Sequence, residues 1–281
     1  MKLGMHIATA GDLVKTPARA AAMGAETIQV FASNPRGWRP TNYTPEKARE
    51  FRSACDSAGF GDVWMHMIYL VSYGTPDDDL RQKSVTAMTA ALANADLLGI
   101  KGIVTHMGSH KGLGFDQAID RTVDSITRAL GESEHSLFIL ENSAGQGGTM
   151  GNSLEELAAV IDGLKGHSRL AICIDTCHAL NAGYEIRTPE GLDQFLADFD
   201  RLIGLDRLVV MHLNDSKADL GSHLDRHENI GFGTIGDAGF KLIVNHPKLQ
   251  NIAGVLEVPG IDGKSGPDEA NMRRLIGLRV N

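Results

Sequence analysis

The sequence has few cysteines, no long apolar run in its opening residues and a deficit of positive charge. Three cysteines are an odd set in a chain that shows no export signal, so a disulfide framework is excluded and reduced thiols are expected. The opening residues give no indication of a signal peptide or a membrane span. We therefore expect a cytoplasmic protein without a membrane partner.

Strand-like and helix-like segments alternate along the chain. Three helices are expected to begin at Thr-Pro pairs, with Thr16, Thr44 and Thr75 as N-caps. Eight alternations within 281 residues favour one closed (β/α)8 TIM barrel domain over residues 1–281, although spacing alone leaves an open sheet as the alternative. The predicted strands are 3–8, 26–31, 63–66, 102–107, 137–141, 170–175, 208–214 and 254–258.

Histidines and carboxylates stand at or near the ends of most of these predicted strands. A single histidine there is more often a hydrogen-bonded core residue, but the C-terminal ends of barrel strands converge on one mouth, where active sites are built. Imidazole and carboxylate together suit zinc or another borderline divalent metal. Nine ligands are too many for one ion, so the pattern predicts a polynuclear metal centre at the mouth: His66, His106, Glu141, Asp175, His178, His212, Asp225, His227 and Glu257.

The net charge of −8 argues at first against a nucleic acid partner. Three bound divalent cations would bring the total to about −2 and would dominate the local field at the mouth. A positive mouth on an acidic body is compatible with phosphate binding. The overall charge therefore does not exclude DNA.

Three other sequence patterns are weaker indications of a functional site. Cys173 and Cys177 flank Asp175, but no second cysteine pair matches them, so we interpret both as small buried residues. The segment 231–236 fits the dinucleotide fingerprint formally, yet it follows a polar loop outside any βαβ unit, which indicates an accidental match. The sequence contains no nucleophile elbow, so an acyl-transfer triad is not supported.

Four longer segments resemble the endonuclease IV family of zinc-dependent apurinic/apyrimidinic endonucleases. They are LENSAGQGG (140–148), CIDTCHALNAGY (173–184), MHLNDSK (211–217) and DRHENIGFGTIG (225–236). The resemblance extends from Gly4 to Glu257, nearly the whole chain. It implies a (β/α)8 barrel with three zinc ions at its mouth, which agrees with the pattern of strands and ligands.

The resemblance also implies how the candidate ligands divide among the zinc ions. Glu141 would bridge two ions and act as the catalytic residue that orients the nucleophile. The three sites would be His66, His106 and Glu141; Glu141, Asp175, His212 and Glu257; and His178, Asp225 and His227.

The implied substrate is double-stranded DNA that contains an abasic site. Hydrolysis 5′ to the lesion would leave a 3′-hydroxyl and a 5′-deoxyribose phosphate, as a step of base excision repair by a nucleoid-associated monomer. The resemblance places Arg36, Tyr69 and Leu70 in the duplex at the lesion. From the residues alone, Arg36 would be a solvated charge and the other two would be packing contacts. An abasic nucleotide costs less to extrude because it has no base to unpair.

The sequence departs from the family pattern at several positions outside the ligand set. Ala8 stands where serine is usual, Asp12 where glycine is usual, and Phe232 where glutamate is frequent; Met67 and Ile68 replace other pairs after His66. These departures bear on loop detail and DNA affinity rather than on the metal site.

Two other function classes compete with the nuclease. A sugar isomerase or epimerase on a similar barrel would use one or two divalent metals and no DNA, and the third ligand group argues against it. A metal-storing or scaffold protein is the third hypothesis. Nine inward ligands at a barrel mouth would be a poor way to stabilise a fold whose core already suffices.

Overall fold

The chain folds into a closed barrel of eight parallel strands. The computed structural model describes residues 1–9, 11–131, 133–261 and 266–280. Around the barrel the strand order is β1-β10-β7-β6-β5-β4-β3-β2, with a separate antiparallel hairpin of β8 and β9. The strands are β1 (Lys2–His6), β2 (Thr27–Phe31), β3 (Val63–His66), β4 (Gly102–Thr105), β5 (Leu137–Glu141), β6 (Leu170–Asp175), β7 (Leu208–His212), β8 (Asp215–Ser216), β9 (His227–Glu228) and β10 (Ala253–Leu256).

Helices cover the outside of the barrel. The predicted (β/α)8 barrel is confirmed, and closure through the β1–β10 pair excludes the open sheet. Among the described residues, no helix is both long and apolar enough to cross a membrane. The α-helices are α1 (Thr16–Ala22), α2 (Pro45–Ser57), α3 (Asp78–Leu98), α4 (Phe115–Leu130), α5 (Leu154–Gly163), α6 (Thr176–Ala182), α7 (Pro189–Leu202), α8 (Gly236–Asn245) and α9 (Glu269–Leu278).

The Thr-Pro prediction holds for one of the three helices. Thr44 caps α2 through its side chain. The prediction was wrong for Thr16 and Thr75. Thr16 lies inside α1, which continues from a short 3-10 turn that Asp12 caps, and Asp77 caps α3 in place of Thr75. In both cases a nearby aspartate supplies the acceptor for the free amide groups, so the threonine is not needed.

Side chains along each barrel strand alternate between the interior and the helix layer. The interior contains a small apolar cluster that includes Trp64, Val104, Ile139, Cys173, Val210 and Val255. A candidate ligand lies two residues further along each of these strands or its extension. Its side chain points in the same inward direction, because successive side chains of a strand alternate between its two faces. The apolar cluster therefore forms the floor beneath His66, His106, Glu141, Asp175, His212 and Glu257.

Candidate metal centre

All nine candidate ligands meet at the C-terminal mouth of the barrel. Their ligand atoms form groups in which every atom lies within 4.8 Å of the others. Three of these groups have the memberships that the sequence resemblance implies, and Glu141 belongs to two of them. They are His66, His106 and Glu141; Glu141, Asp175, His212 and Glu257; and His178, Asp225 and His227.

Glu141 lies at the centre of the cluster, with only 1% of its surface exposed. Its Oε2 is 3.2 Å from His66 Nε2 and 3.4 Å from His106 Nε2, while its Oε1 is 2.9 Å from His212 Nδ1. His66 can direct Nε2 at the carboxylate because its Nδ1–H donates to the Met67 carbonyl at 2.7 Å. The two oxygens of Glu141 thus face histidines of two different groups, as the oxygens of a bridging carboxylate do.

The second group surrounds His212. Its Nδ1 lies 3.1 Å from Glu257 Oε2 and 3.9 Å from Asp175 Oδ2. Asp175 is fully buried at the end of β6, where its Oδ1 accepts the His178 amide at 3.0 Å and so caps α6. Its Oδ2 accepts from Asn214 at 2.6 Å. The end of β6 therefore fixes one carboxylate and begins the helix that carries the next ligand.

The third group contains two imidazole nitrogens that have no hydrogen-bond partner among the described residues. His178 Nε2 and His227 Nε2 are both buried and unpaired. Asp225 Oδ1 lies 3.3 Å from the first and 3.4 Å from the second, but not in hydrogen-bonding alignment. His178 Nδ1–H donates to the Asn142 carbonyl at 3.0 Å, which leaves Nε2 as the free ligand atom. Two buried imidazole nitrogens that lack a hydrogen-bond partner and face a carboxylate fit a bound cation.

The electrostatics of the mouth also fit cations. Burial alone would raise the pKa of Glu141, but the imidazoles of His106 and His212 outweigh it and hold that pKa well below its usual range. Burial would lower the pKa of His178, yet the carboxylates of Asp175 and Asp225 raise it to about 10. The carboxylates therefore stay ionised and draw positive charge into the site, which bound metal ions would supply in place of protons.

A further close group brings Cys177 within 4.8 Å of Asp175 and His227. Burial raises the pKa of the Cys177 thiol to about 12, and its sulfur accepts a hydrogen bond from Asn181 at 3.2 Å. Zinc is bound by the thiolate, which this setting disfavours. Cys173 is likewise buried. Both side chains agree with the expectation of small buried residues.

Four polar residues that sequence reasoning missed lie directly behind the ligands. Asn142 accepts the Asp175 amide at 2.6 Å, and Asn214 accepts the Glu257 amide at 2.8 Å. Gln29 and His6 both lie against Glu257. The sequence contained a signal for these residues, because each asparagine follows a candidate ligand closely in ILEN and MHLN, and Gln29 and His6 are polar residues at inward positions of β2 and β1.

The three residues expected to contact DNA lie on two neighbouring loops beside the mouth. Tyr69 is 57% exposed, and its amide donates to the Pro35 carbonyl at 3.2 Å, next to the exposed Arg36. The Tyr69 ring also packs edge-on against His66, with 5.8 Å between ring centroids. Leu70, 36% exposed, lines a cavity of about 510 Å³ whose walls include candidate ligands of the first and third groups.

The glycine-rich segment 231–236 surrounds a carboxylate of the chain itself. The backbone amides of Gly231 and Gly233 donate to Asp215 Oδ2 at 2.9 and 3.0 Å, and the amide of Ile235 donates to Oδ1 at 2.9 Å. Asp215 fills the position that an anion would take in such an amide nest. This contact closes the loop that carries Asp225 and His227.

Comparison with known proteins agrees with this geometry. The family of xylose isomerase-like TIM barrels matches residues 17–278. A probable endonuclease 4 from Methanoculleus marisnigri is 41% identical over 278 residues, which are 98% of this chain and 99% of that protein. The chain belongs to the endonuclease IV family. A second family member, from Chloroflexus aurantiacus, is 39% identical and covers 99% of this chain and 96% of its own length.

Solved structures separate the family from its wider fold class. The crystal structure of endonuclease IV from Thermus thermophilus matches with a TM-score of 0.87 at 32% identity, covering 99% of this chain and 98% of that one. A D-tagatose 3-epimerase-like protein matches with a TM-score of 0.70 at only 16% identity, covering 99% and 94%, and shares the fold alone. As a member of the endonuclease IV family, the chain is an endonuclease and therefore a hydrolase.

Proposed function

We propose that this endonuclease hydrolyses the phosphodiester bond 5′ to apurinic/apyrimidinic sites in double-stranded DNA, with three zinc ions, as a step of base excision repair. The observation that carries the proposal is the presence of three adjacent ligand groups, two of which share one buried carboxylate, Glu141. The endonuclease 4 relatives and the Thermus endonuclease IV support the substrate class.

The donor set supports zinc. Each group combines imidazole with carboxylate, the ligands of a borderline divalent metal. The unpaired Nε2 atoms of His178 and His227 supply a specific place for a cation. Zinc bound at the three groups would activate water near neutral pH and offset the charge that develops on phosphoryl oxygens.

The residues of the chain would hold the reacting groups in place. Glu141 is ionised and fixed by histidines on both of its oxygens, so it can hold the attacking water in position as a hydrogen-bond acceptor. His66 and His178 are locked by backbone carbonyls through their Nδ1 atoms. A site whose side chains are fixed before the substrate arrives loses little free energy to reorganisation.

The exposed loops would distort the duplex at the lesion. Arg36, Tyr69 and Leu70 would occupy the space left in the helix and offset the cost of unstacking, a few kcal/mol per step. The cavity of about 510 Å³ beside the metal groups is large enough for an extruded sugar and phosphate. Its lining includes two cationic side chains, Lys111 and Arg226, which would bind the phosphates.

We also propose that the protein acts as a monomer in the cytoplasm, at the nucleoid. One chain contains every proposed ligand, so no second copy is required for the site. Light scattering of the zinc-loaded protein should give the mass of one chain, 30.2 kDa. A stable dimer would contradict this part of the proposal.

Incision of a synthetic duplex tests the function. A duplex with one abasic analogue and an intact duplex are incubated with the protein as purified, after chelation, and after zinc is restored. We expect incision of the abasic duplex only, loss of incision on chelation, recovery with zinc, and about three zinc ions per chain in the active protein. A single metal per chain with conversion of a ketohexose and no incision would instead support a sugar epimerase.

A further inference from the structure

Gln29 lies inside the barrel between two candidate ligands of the second group. It is fully buried on β2, at an inward position of the strand TIQVF. Its Oε1 is 3.1 Å from His212 Nε2, and its Nε2 is 2.7 Å from Glu257 Oε1. One amide side chain therefore contacts both ligands at once.

The chemistry of these two contacts fixes the orientation of the amide. A carboxylate oxygen can only accept, so the NH2 of Gln29 must face Glu257. The carbonyl oxygen then faces His212, where it accepts a hydrogen bond from Nε2–H. The reversed amide would set two acceptors against each other at Glu257.

This orientation selects one tautomer of His212. With the proton held on Nε2, the lone pair of the neutral ring lies on Nδ1. Nδ1 is the atom that points at Glu141 Oε1, 2.9 Å away, and at Glu257 Oε2, 3.1 Å away. Gln29 thus directs the free nitrogen of His212 into the metal group.

The Gln29 amide also gives the two carboxylate oxygens of Glu257 different roles. Oε1 accepts from Gln29 and lies 2.8 Å from His6 Nδ1, which donates to it. His6 is held by its ring contact with Phe31, at 4.1 Å between centroids. Since two donors occupy Oε1, Oε2 is the oxygen left for a metal ion.

We propose that Gln29 is a positioning residue that fixes the tautomer of His212 and the ligating oxygen of Glu257 for the metal ion of the second group. The inference rests on the proposed zinc centre and assigns Gln29 no contact with DNA. Hydrogen-bond partners behind a metal ligand set its orientation and basicity, and their loss costs about 10- to 100-fold in metal affinity.

The first test is zinc affinity, measured by competition with a chelator on the zinc-loaded protein. Gln29→Met keeps the size of the side chain and removes both hydrogen bonds, so one of the zinc ions should bind about 10- to 100-fold more weakly. Val30→Ala is the matched control, because Val30 is equally buried on the same strand but packs in the cluster on the helix side. It should lower the melting temperature and leave zinc affinity unchanged.

The second test is the protonation of the His212 ring in the zinc-loaded protein, read from long-range proton–nitrogen NMR spectra. The wild type should show a metal ion at Nδ1 and a hydrogen-bonded proton on Nε2. Gln29→Met should lose the hydrogen-bonded shift of that proton, whereas Val30→Ala should retain it.

Three results distinguish the alternatives. Unchanged zinc affinity in Gln29→Met, with a zinc-replete wild type, would overturn this inference and leave the proposed function standing. A metal ion at Nε2 of His212 in the wild type would overturn it even if no variant folded. A wild type that binds no zinc would refute the metal centre, and with it both proposals.

Discussion

Glu141 is the residue that two of the candidate metal groups share. Its buried carboxylate contacts histidines from three strands or strand ends, at distances of 2.9 to 3.4 Å. An amide of the same shape could keep the packing but not the charge. Replacing Glu141 with glutamine therefore distinguishes the chemical role of the carboxylate from its role in packing.

Glu141→Gln should reduce turnover by several orders of magnitude while the protein stays folded and still binds abasic DNA, because the amide weakens the bridge and removes the negative charge that positions the nucleophile. Single-turnover incision, DNA binding and circular dichroism measure the three properties. Glu156→Gln is the control, since Glu156 is a partly buried glutamate outside the ligand groups, whose Oε2 accepts the Gly151 amide at 2.6 Å. Near wild-type cleavage by Glu141→Gln would contradict its assigned role.

Arg36 and Tyr69 are exposed, so their removal should change DNA selectivity and leave the metal site intact. Arg36→Ala and Tyr69→Ala should each reduce the preference for abasic over intact duplex by at least about tenfold, since unstacking costs a few kcal/mol per step. Binding of both duplexes at one fixed salt concentration gives the ratio. Arg201→Ala, on the exposed surface of α7, should leave the ratio unchanged. An unaltered ratio in both loop variants would make these side chains ordinary surface residues.

Most of the candidate ligands could be recognised in the sequence because they follow apolar runs, but the residues behind them could not. Gln29 lies in the middle of a strand, and an inward polar residue there has several explanations until its partners are known. His212 and Glu257, its partners, are more than 180 positions further along the chain. Only the closed barrel brings β2 next to them across the interior.

At the scale of elements, the positions of the strands could be predicted from the sequence, whereas the first residues of the helices could be predicted only in part. Buried parallel strands are continuous apolar runs, which few other elements produce. Helix caps involve smaller free-energy differences, so Asp12 and Asp77 replaced two expected threonine caps. The conformation of the loop after β7 could not be predicted either. The Asp215 carboxylate holds this loop by accepting hydrogen bonds from backbone amides that lie 16 to 21 residues further along the chain.

Asp215 is expected to hold the loop that carries Asp225 and His227. Asp215→Ala would leave the buried Ile235 amide and the partly buried amides of Gly231 and Gly233 without their acceptor, at a cost of about 1–3 kcal/mol for each amide that is fully buried. The variant should lose the zinc ion of the third group and melt at a lower temperature, as elemental analysis and thermal denaturation would show. Asp219→Ala, at an exposed position of the same loop, should change neither property. Full zinc content in Asp215→Ala would show that the loop folds without this contact.

At the scale of the whole molecule, the proposed metal ions would compete with protons for the same acidic mouth. In the metal-free protein the pKa of His178 is about 10, above its ordinary value of 6.5, so protonation of His178 stabilises the fold fully only below about pH 6.5. This contribution is lost as the pH rises toward 10. Zinc would replace the protons and remove the dependence.

We therefore expect the melting temperature of the metal-free protein to fall between pH 6.5 and pH 10, and that of the zinc-loaded protein to change much less over the same range. Thermal denaturation of both forms across this range is the measurement. His178→Asn removes one of the titrating rings and should reduce the slope of the metal-free form. Equal slopes for the two wild-type forms would show that zinc and protons do not compete here.

The central claim is metal-dependent hydrolysis on the 5′ side of an abasic site, and the chemistry of the DNA ends tests it most directly. The protein is incubated with an end-labelled abasic duplex, with and without chelator and borohydride, and the products are separated on a denaturing gel. We predict a cut immediately 5′ to the lesion, a 3′-hydroxyl that a polymerase extends, and no product after chelation. A cut 3′ to the lesion that survives chelation, with a protein–DNA adduct trapped by borohydride, would contradict hydrolysis and the role of all nine ligands.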